Sequence, residues 1–295
     1  MTETTNSATD RGGRDATDAA VREHRAWRAA RERVLRAPHG PLSHTALHWP
    51  TARPRRLPGL PGEWWVTDGT LFVRQAPGDG TVLTGEDVEP DGLTAIGVAE
   101  GRSRILGTFV PEDHVRSAAG DEPADSERDV AVEVILRTGR YGVRPHDPQS
   151  ATRAAFDGVP VFGYDPAWVL YAPVRWYDVP EPVTVGAALP RLVHHVAVVG
   201  EVDVAHGETV TTLSLTGSRT APTLLFSDEA DGVAPWRILR ASAPEAAPGT
   251  SDTLRLDLNR AENLPFVFTG FGTCPAPLVG NHLPFAVTAG ERAPR

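Results

Sequence analysis

The side chains best placed to do chemistry lie near the C-terminus: Asp257, Asn259, Arg260, Asn263, Cys274, Asn281 and His282, interleaved with Pro265, Pro275, Pro277 and Pro284. On a strand, Asp257 and Asn259 would share one face, because side chains alternate. Arg260 beside them offers a planar fork suited to a carboxylate or phosphate. Such a group could read a small polar or anionic ligand. It could equally be a buried network that ties down the proline loops. Cys274, in Thr-Cys-Pro, is the only thiol. As a nucleophile it would need a lowered pKa and a base such as His282, His48 or His146. As a small apolar filler it would need neither.

Composition removes several chemistries. All 29 residues counted as Lys or Arg are Arg, so lysine Schiff bases, Walker-type phosphate loops and Ser-Lys dyads are excluded. A single Cys allows no internal disulfide and no cysteine-paired zinc knuckle. A net charge of −9 argues against general affinity for nucleic acid or anionic membranes. Met1–Asp18 has no apolar h-region and does not read as a signal peptide. No apolar run is long enough to span a bilayer. The cytoplasm is the expected compartment and a small molecule the expected partner.

Metal spacing is weak. His44 and His48 are four apart and would share a face if helical, but Pro41 and Pro50 confine them. His194 and His195 would point to opposite faces of a strand. No dedicated metal site is therefore expected, and no cofactor can be named. Gly-x-Ser-x-Gly and His-Glu-x-x-His are absent, and Gly270-Phe271-Gly272 runs into Thr-Cys-Pro, so it is no dinucleotide fingerprint.

The elements that must hold these residues are mostly strands. Glycine (28) and proline (27) are frequent, which favours short strands and tight turns over long helices. Strands are expected at 64–66, 70–73, 93–98, 104–110, 130–136, 168–177, 193–199, 209–215, 223–226, 236–240 and 253–258. One helix is expected from a cap at Asp15 or Thr17 to Arg36, with Ala20, His24, Trp27, Arg31 and Val34 facing the core. Its arginines offer either a solvated surface or a face for an assembly partner. The chain divides into a disordered tail (1–15), the helix (16–36), a small β subdomain (37–125) and a β-barrel-like domain (126–295). The acidic stretch Ser117–Asp129 is the best candidate for the boundary; the alternative is one large barrel or sandwich. The fold class is mostly β, an antiparallel barrel- or sandwich-like body behind one N-terminal helix.

Spaced blocks carry a resemblance. They include Arg36, Pro38, Gly40, Leu42, Leu47, His48 and Trp49; Arg144, Asp147, Pro148, Ser150, Arg153, Phe156 and Gly158; and Asp165, Pro166 and Trp168. Later come Asp228, Gly232 and Arg240. The longest block holds Asp257, Asn259, Arg260, Ala261, Asn263, Pro265, Cys274, Pro275, Pro277, Asn281, Leu283, Ala289, Gly290 and Glu291. Together they resemble the uncharacterised bacterial family catalogued as domain of unknown function 1684, which implies no activity. That family's pattern puts a second Cys at Phe266, Tyr at Glu262, Glu at Gly280 and Arg at His282, so this chain reads as a divergent relative.

The resulting expectation is a ligand site in a barrel mouth, formed by Arg144, Arg153, Asn259, Arg260, Asn263, Asn281, His48 and Trp49. The alternative is an enzyme at the same place, of hydrolase or transferase type, using acid–base or thiol chemistry from Cys274, Asp257 and His282.

Overall fold

A computed structural model describes residues 6–76, 80–111, 129–241 and 253–294, with side chains from Asp18 onward. It is mostly β, with an antiparallel half-barrel sheet and one long N-terminal helix. The expected acidic boundary loop falls almost wholly outside the described residues.

Helix α1 spans Asn6–Arg36, so it begins well before the expected cap at Asp15 or Thr17. Adding a turn to an existing helix costs far less than nucleating one. Its inward line is His24, Trp27, Arg31 and Leu35. Leu35 is fully buried, whereas Val34 is 59% exposed, one step off the expected line. Leu35 packs with Leu42 and Val159, and with Phe156 and Phe268 at their edge.

Strands β1 (Arg55–Arg56), β2 (Glu63–Thr67), β3 (Thr70–Arg74) and β4 (Leu93–Ile96) form one sheet in that order. Strands β5 (Ser103–Phe109), β6 (Val130–Arg137) and β7 (Arg140–His146) form a second. Asp68 and Gly69, which link β2 to β3, both have positive φ, as a two-residue hairpin twisted with its strands requires. A single apolar core lies between these sheets, from Leu57 and Trp64 through Val130, Val132 and Val134 to Val143. It runs across the expected division at 125/126.

The half-barrel follows the order β12 (Arg237–Arg240), β11 (Ala221–Asp228), β10 (Thr209–Ser218), β9 (Val193–His206), β8 (Val169–Gly186) and β13 (Thr253–Asp257). The short β14 (His282–Leu283) pairs with β11 in parallel. Its core joins Val202, Leu213, Leu224 and Phe226 to Leu258, Ala261, Leu283, Val287 and Ala289 of the C-terminal segment. That segment is irregular, as its prolines dictate. Gly290 has φ +77, and a Cβ there would lie 2.7 Å from the Ala261 carbonyl oxygen. Only glycine fits this position without strain.

Candidate functional site

Most of the polar C-terminal residues bond to the chain itself. β13 ends at Asp257 and a 3-10 turn, Leu258–Arg260, follows, so Asp257 and Asn259 meet across a turn rather than along a strand. Asn259 donates to Asp257 at 3.0 Å and to the Asp165 carbonyl at 2.9 Å, and accepts from the Asp165 amide at 3.0 Å. Asp257 also meets Arg255 at 3.1 Å and Arg260 at 3.3 Å, while Arg260 reaches Glu23 on α1 at 2.6 Å. Asn263 donates to the Arg292 carbonyl at 2.7 Å, and its amide donates to Glu291. Asn281 accepts from the Ser214 amide and donates to the Ser214 and Leu225 carbonyls, all at 2.9 Å. Arg153 donates to the carbonyls of Arg36 and Pro148. These residues pin irregular backbone whose polar groups would otherwise be costly to bury.

The three residues expected to share catalysis keep separate company. Asp257 closes β13, and His282 pairs with β11. Strands β8, β9 and β10 lie between them in the sheet, roughly 19 Å measured along it at the usual strand spacing. His282 is exposed and contacts Ser227 at 3.0 Å and Glu229 at 2.9 Å. Cys274 packs beside Trp236 and Phe266 on Leu225, Ile238 and Leu264. Burial pushes its thiol up, outweighing the nearby Arg144 and Arg137 charges, which is the wrong direction for a nucleophile at neutral pH. Phe266, where the family pattern puts a second Cys, touches the same cluster as Cys274 and stacks on Trp236 with centroids 4.4 Å apart.

His48 and Trp49 do not lie on a helix with His44. After a 3-10 turn at Pro41–Ser43, the chain runs extended, and His44 and His48 bridge to His146 and Val143 of β7. Pro41 starts the turn, and pairing with β7 then sets an extended path. Trp49 lies under the Arg140 guanidinium, 4.7 Å from ring centroid to carbon. His48 lines a cleft of about 660 Å³ with Thr45, Arg56, Thr81, Phe109 and Asp147, within the usual range for small-molecule sites. Burial holds the His48 imidazole below its ordinary pKa despite a hydrogen bond to the Pro58 carbonyl. Its Nε2 is buried and has no hydrogen-bond partner. A second hollow of about 690 Å³ is lined by Leu42, Thr152, Phe156, Asp157 and Phe268 among others.

Behind this cleft lies a buried polar cluster that the strand pattern only partly signals. Glu133 sits among the apolar residues of β6, a charge that must find partners. Its Oε2 accepts from Arg144 at 2.7 and 2.6 Å and lies 2.9 Å from His146 Nε2. Burial alone would raise the Glu133 carboxyl; His146, Arg144 and Ser103 outweigh it and hold the group below the carboxylate range. Arg144 also donates to the Phe271 carbonyl at 2.8 Å, which ties β7 to the C-terminal segment. His146 Nδ1 lies 3.0 Å from the His39 carbonyl. His44 stands edge-on to His146 with centroids 4.4 Å apart, and burial, then the Arg144 and His146 charges, push it down to about 3. The ligand atoms of His44, Glu133 and His146 all lie within 4.8 Å of one another. Thr45 and Pro145 face the cleft while their neighbours His44 and His146 face the cluster, as alternation requires.

Residues 154–292 match the family described as protein of unknown function (DUF1684). The chain resembles that family over a stretch that includes the C-terminal signature; the blocks at 36–49 and 144–153 precede it. The NMR solution structure of an uncharacterized protein of Haloarcula marismortui is 22% identical, with the alignment covering 50% of this chain and 83% of that one at a TM-score of 0.40. No curated protein matches the chain.

Proposed function

We propose that the protein binds a small polar molecule bearing an anionic group in the cleft beside β7, through His48 and Arg56. The observation that carries this reading is the partnerless, buried Nε2 of His48, a residue that lines a cleft of about 660 Å³. A small rotation of the ring toward the cleft would let a polar group of the ligand supply the missing partner, because an unpaired buried polar atom is costly. Arg56 contributes the cationic wall, while Phe109 and Pro58 shape the apolar one. The Asn and Arg residues of the C-terminal segment act here by holding the scaffold rigid.

Native against denaturing mass spectrometry of gently purified protein tests the reading. A bound mass should be retained in the native spectrum, lost on denaturation, and depleted in His48→Ala and Arg56→Ala variants that still fold. A mass retained equally by both variants, or none in the parent protein, would place function elsewhere.

A further inference from the structure

We propose that His44, Glu133 and His146 form a binding site for one first-row transition-metal dication, separate from the His48 cleft. Two imidazoles and one carboxylate are a donor set suited to zinc or ferrous iron. The three come from different supports: the extended stretch after Pro41–Ser43, the middle of β6 and the end of β7. A backbone bridge between His44 and His146 and the pairing of Ala131 with His146 fix them in register. The site is thus built on paired backbone rather than on a loose loop.

Three observations point to a cation. First, His146 Nε2 and Glu133 Oε2 are 2.9 Å apart. Two ligands of a tetrahedral ion with bonds of ~2.1 Å would sit ~3.4 Å apart, so a shift of about half an ångström from the present hydrogen-bonded separation would open the pair to an ion. Second, His146 Nδ1 faces the His39 carbonyl at 3.0 Å. A carbonyl only accepts, so this nitrogen carries a proton; Nε2 then either donates to the carboxylate as part of an imidazolium or, with a cation in that proton's place, ligates it. Two acceptors face to face need a cation or a further proton between them. Orienting a metal-bound imidazole through a carbonyl on its other nitrogen is the usual outer-shell arrangement. Third, His44 is 6% exposed, yet its Nδ1 is buried without a hydrogen-bond partner. Metal ligation would employ a ring that otherwise has an idle nitrogen in the interior.

The groups facing the site include an opposing charge. Arg144 donates twice to Glu133, and Arg137 lies close enough to act on both residues. Ser103 adds a hydrogen bond to the carboxylate. Arg144 orients Glu133 as an outer-shell partner would, and its charge makes binding weaker than at a dedicated structural zinc site.

The test uses the full chain stripped with a chelator and titrated with cobalt(II), read by visible absorption, with zinc as competitor. One equivalent should bind, and zinc should displace it. His44→Ala and Glu133→Gln, checked for folding by circular dichroism, should each weaken binding at least tenfold. His282→Ala, which removes the exposed His282–Glu229 pair, should change nothing. Should the cluster variants not fold, nitrogen NMR of the unaltered protein decides. Zinc must then shift the ring signals of His44 and His146 and leave that of His282 in place. Absence of binding, full binding in folded His44→Ala, or loss of binding in His282→Ala overturns the proposal.

Discussion

Arg31 on the N-terminal helix and Glu291, 260 positions later, meet with Nε 3.0 Å from Oε1. Arg31 also donates to the Asn263 carbonyl at 2.7 Å, and Glu291 accepts from the Asn263 amide at 2.6 Å. Their side chains are 13% and 2% exposed. The helix is therefore held by an ion pair out of reach of bulk water, set into the C-terminal signature. Removing one partner leaves a buried charge, which costs about 3–5 kcal/mol. Glu291→Gln and Arg31→Met should each lower stability on that scale. Urea unfolding of both and of the double variant should show costs well short of additive.

Asn281 joins β10, β11 and the C-terminal segment through three hydrogen bonds. Asn281→Ala strands buried backbone groups of Ser214 and Leu225 and should cost about 3 kcal/mol. Asn281→Asp keeps the size but turns a carboxylate oxygen toward two carbonyl oxygens, and should cost more. Thermal unfolding that ranks alanine below aspartate would contradict this geometry.

Acid should loosen the helix through His24. The ring is 6% exposed, and burial lowers its pKa, opposed by Asp257 and aided by Arg28 and Arg260. A depressed histidine pKa means the unfolded chain binds the proton more readily. Stability is thus complete above about pH 6.5 and falls as pH drops below it, by up to about 1.4 kcal/mol per unit until the folded group itself titrates. His24→Phe keeps the stack on Trp27, whose centroid is 5.4 Å away. It should flatten stability against pH as pH falls below about 6.5, measured by chemical denaturation at each pH.

Cys274 should behave as an inert filler. Its raised pKa leaves little thiolate at neutral pH. Iodoacetamide should label the folded protein slowly and the urea-unfolded protein at the rate of a free cysteine. Cys274→Ala should retain ligand mass in the native spectrum. Fast labelling of the folded chain would restore the thiol to consideration.

The strands were legible because their apolar residues alternate or run between turn-formers, as in Thr209–Leu215 and the pair joined by Asp68-Gly69. The staple role of the asparagines was one of two readings open from the residues, and the geometry accords with it: Asn259 and Asn281 each reach backbone amide and carbonyl together. β7 was obscured because Arg140, Arg144 and His146 make it read as polar, although Arg144 and His146 are buried in partnership with Glu133. His44 and His48 looked helical by spacing, yet pairing with β7 decides their conformation. The cleft left no local trace, since its walls come from segments as distant as Thr45, Thr81 and Asp147.

The polar face of β6 and β7 bears on how the chain is made. The core of the first two sheets draws on residues 57–143, so it can close while the half-barrel is still being synthesised. The opposite face waits for Phe271, which accepts from Arg144. Until then Arg144 lacks that partner, and charged groups on this face would meet water where a fully apolar layer would invite aggregation. A buried charged seam would thus favour a first half that resists aggregation until the last segment covers it.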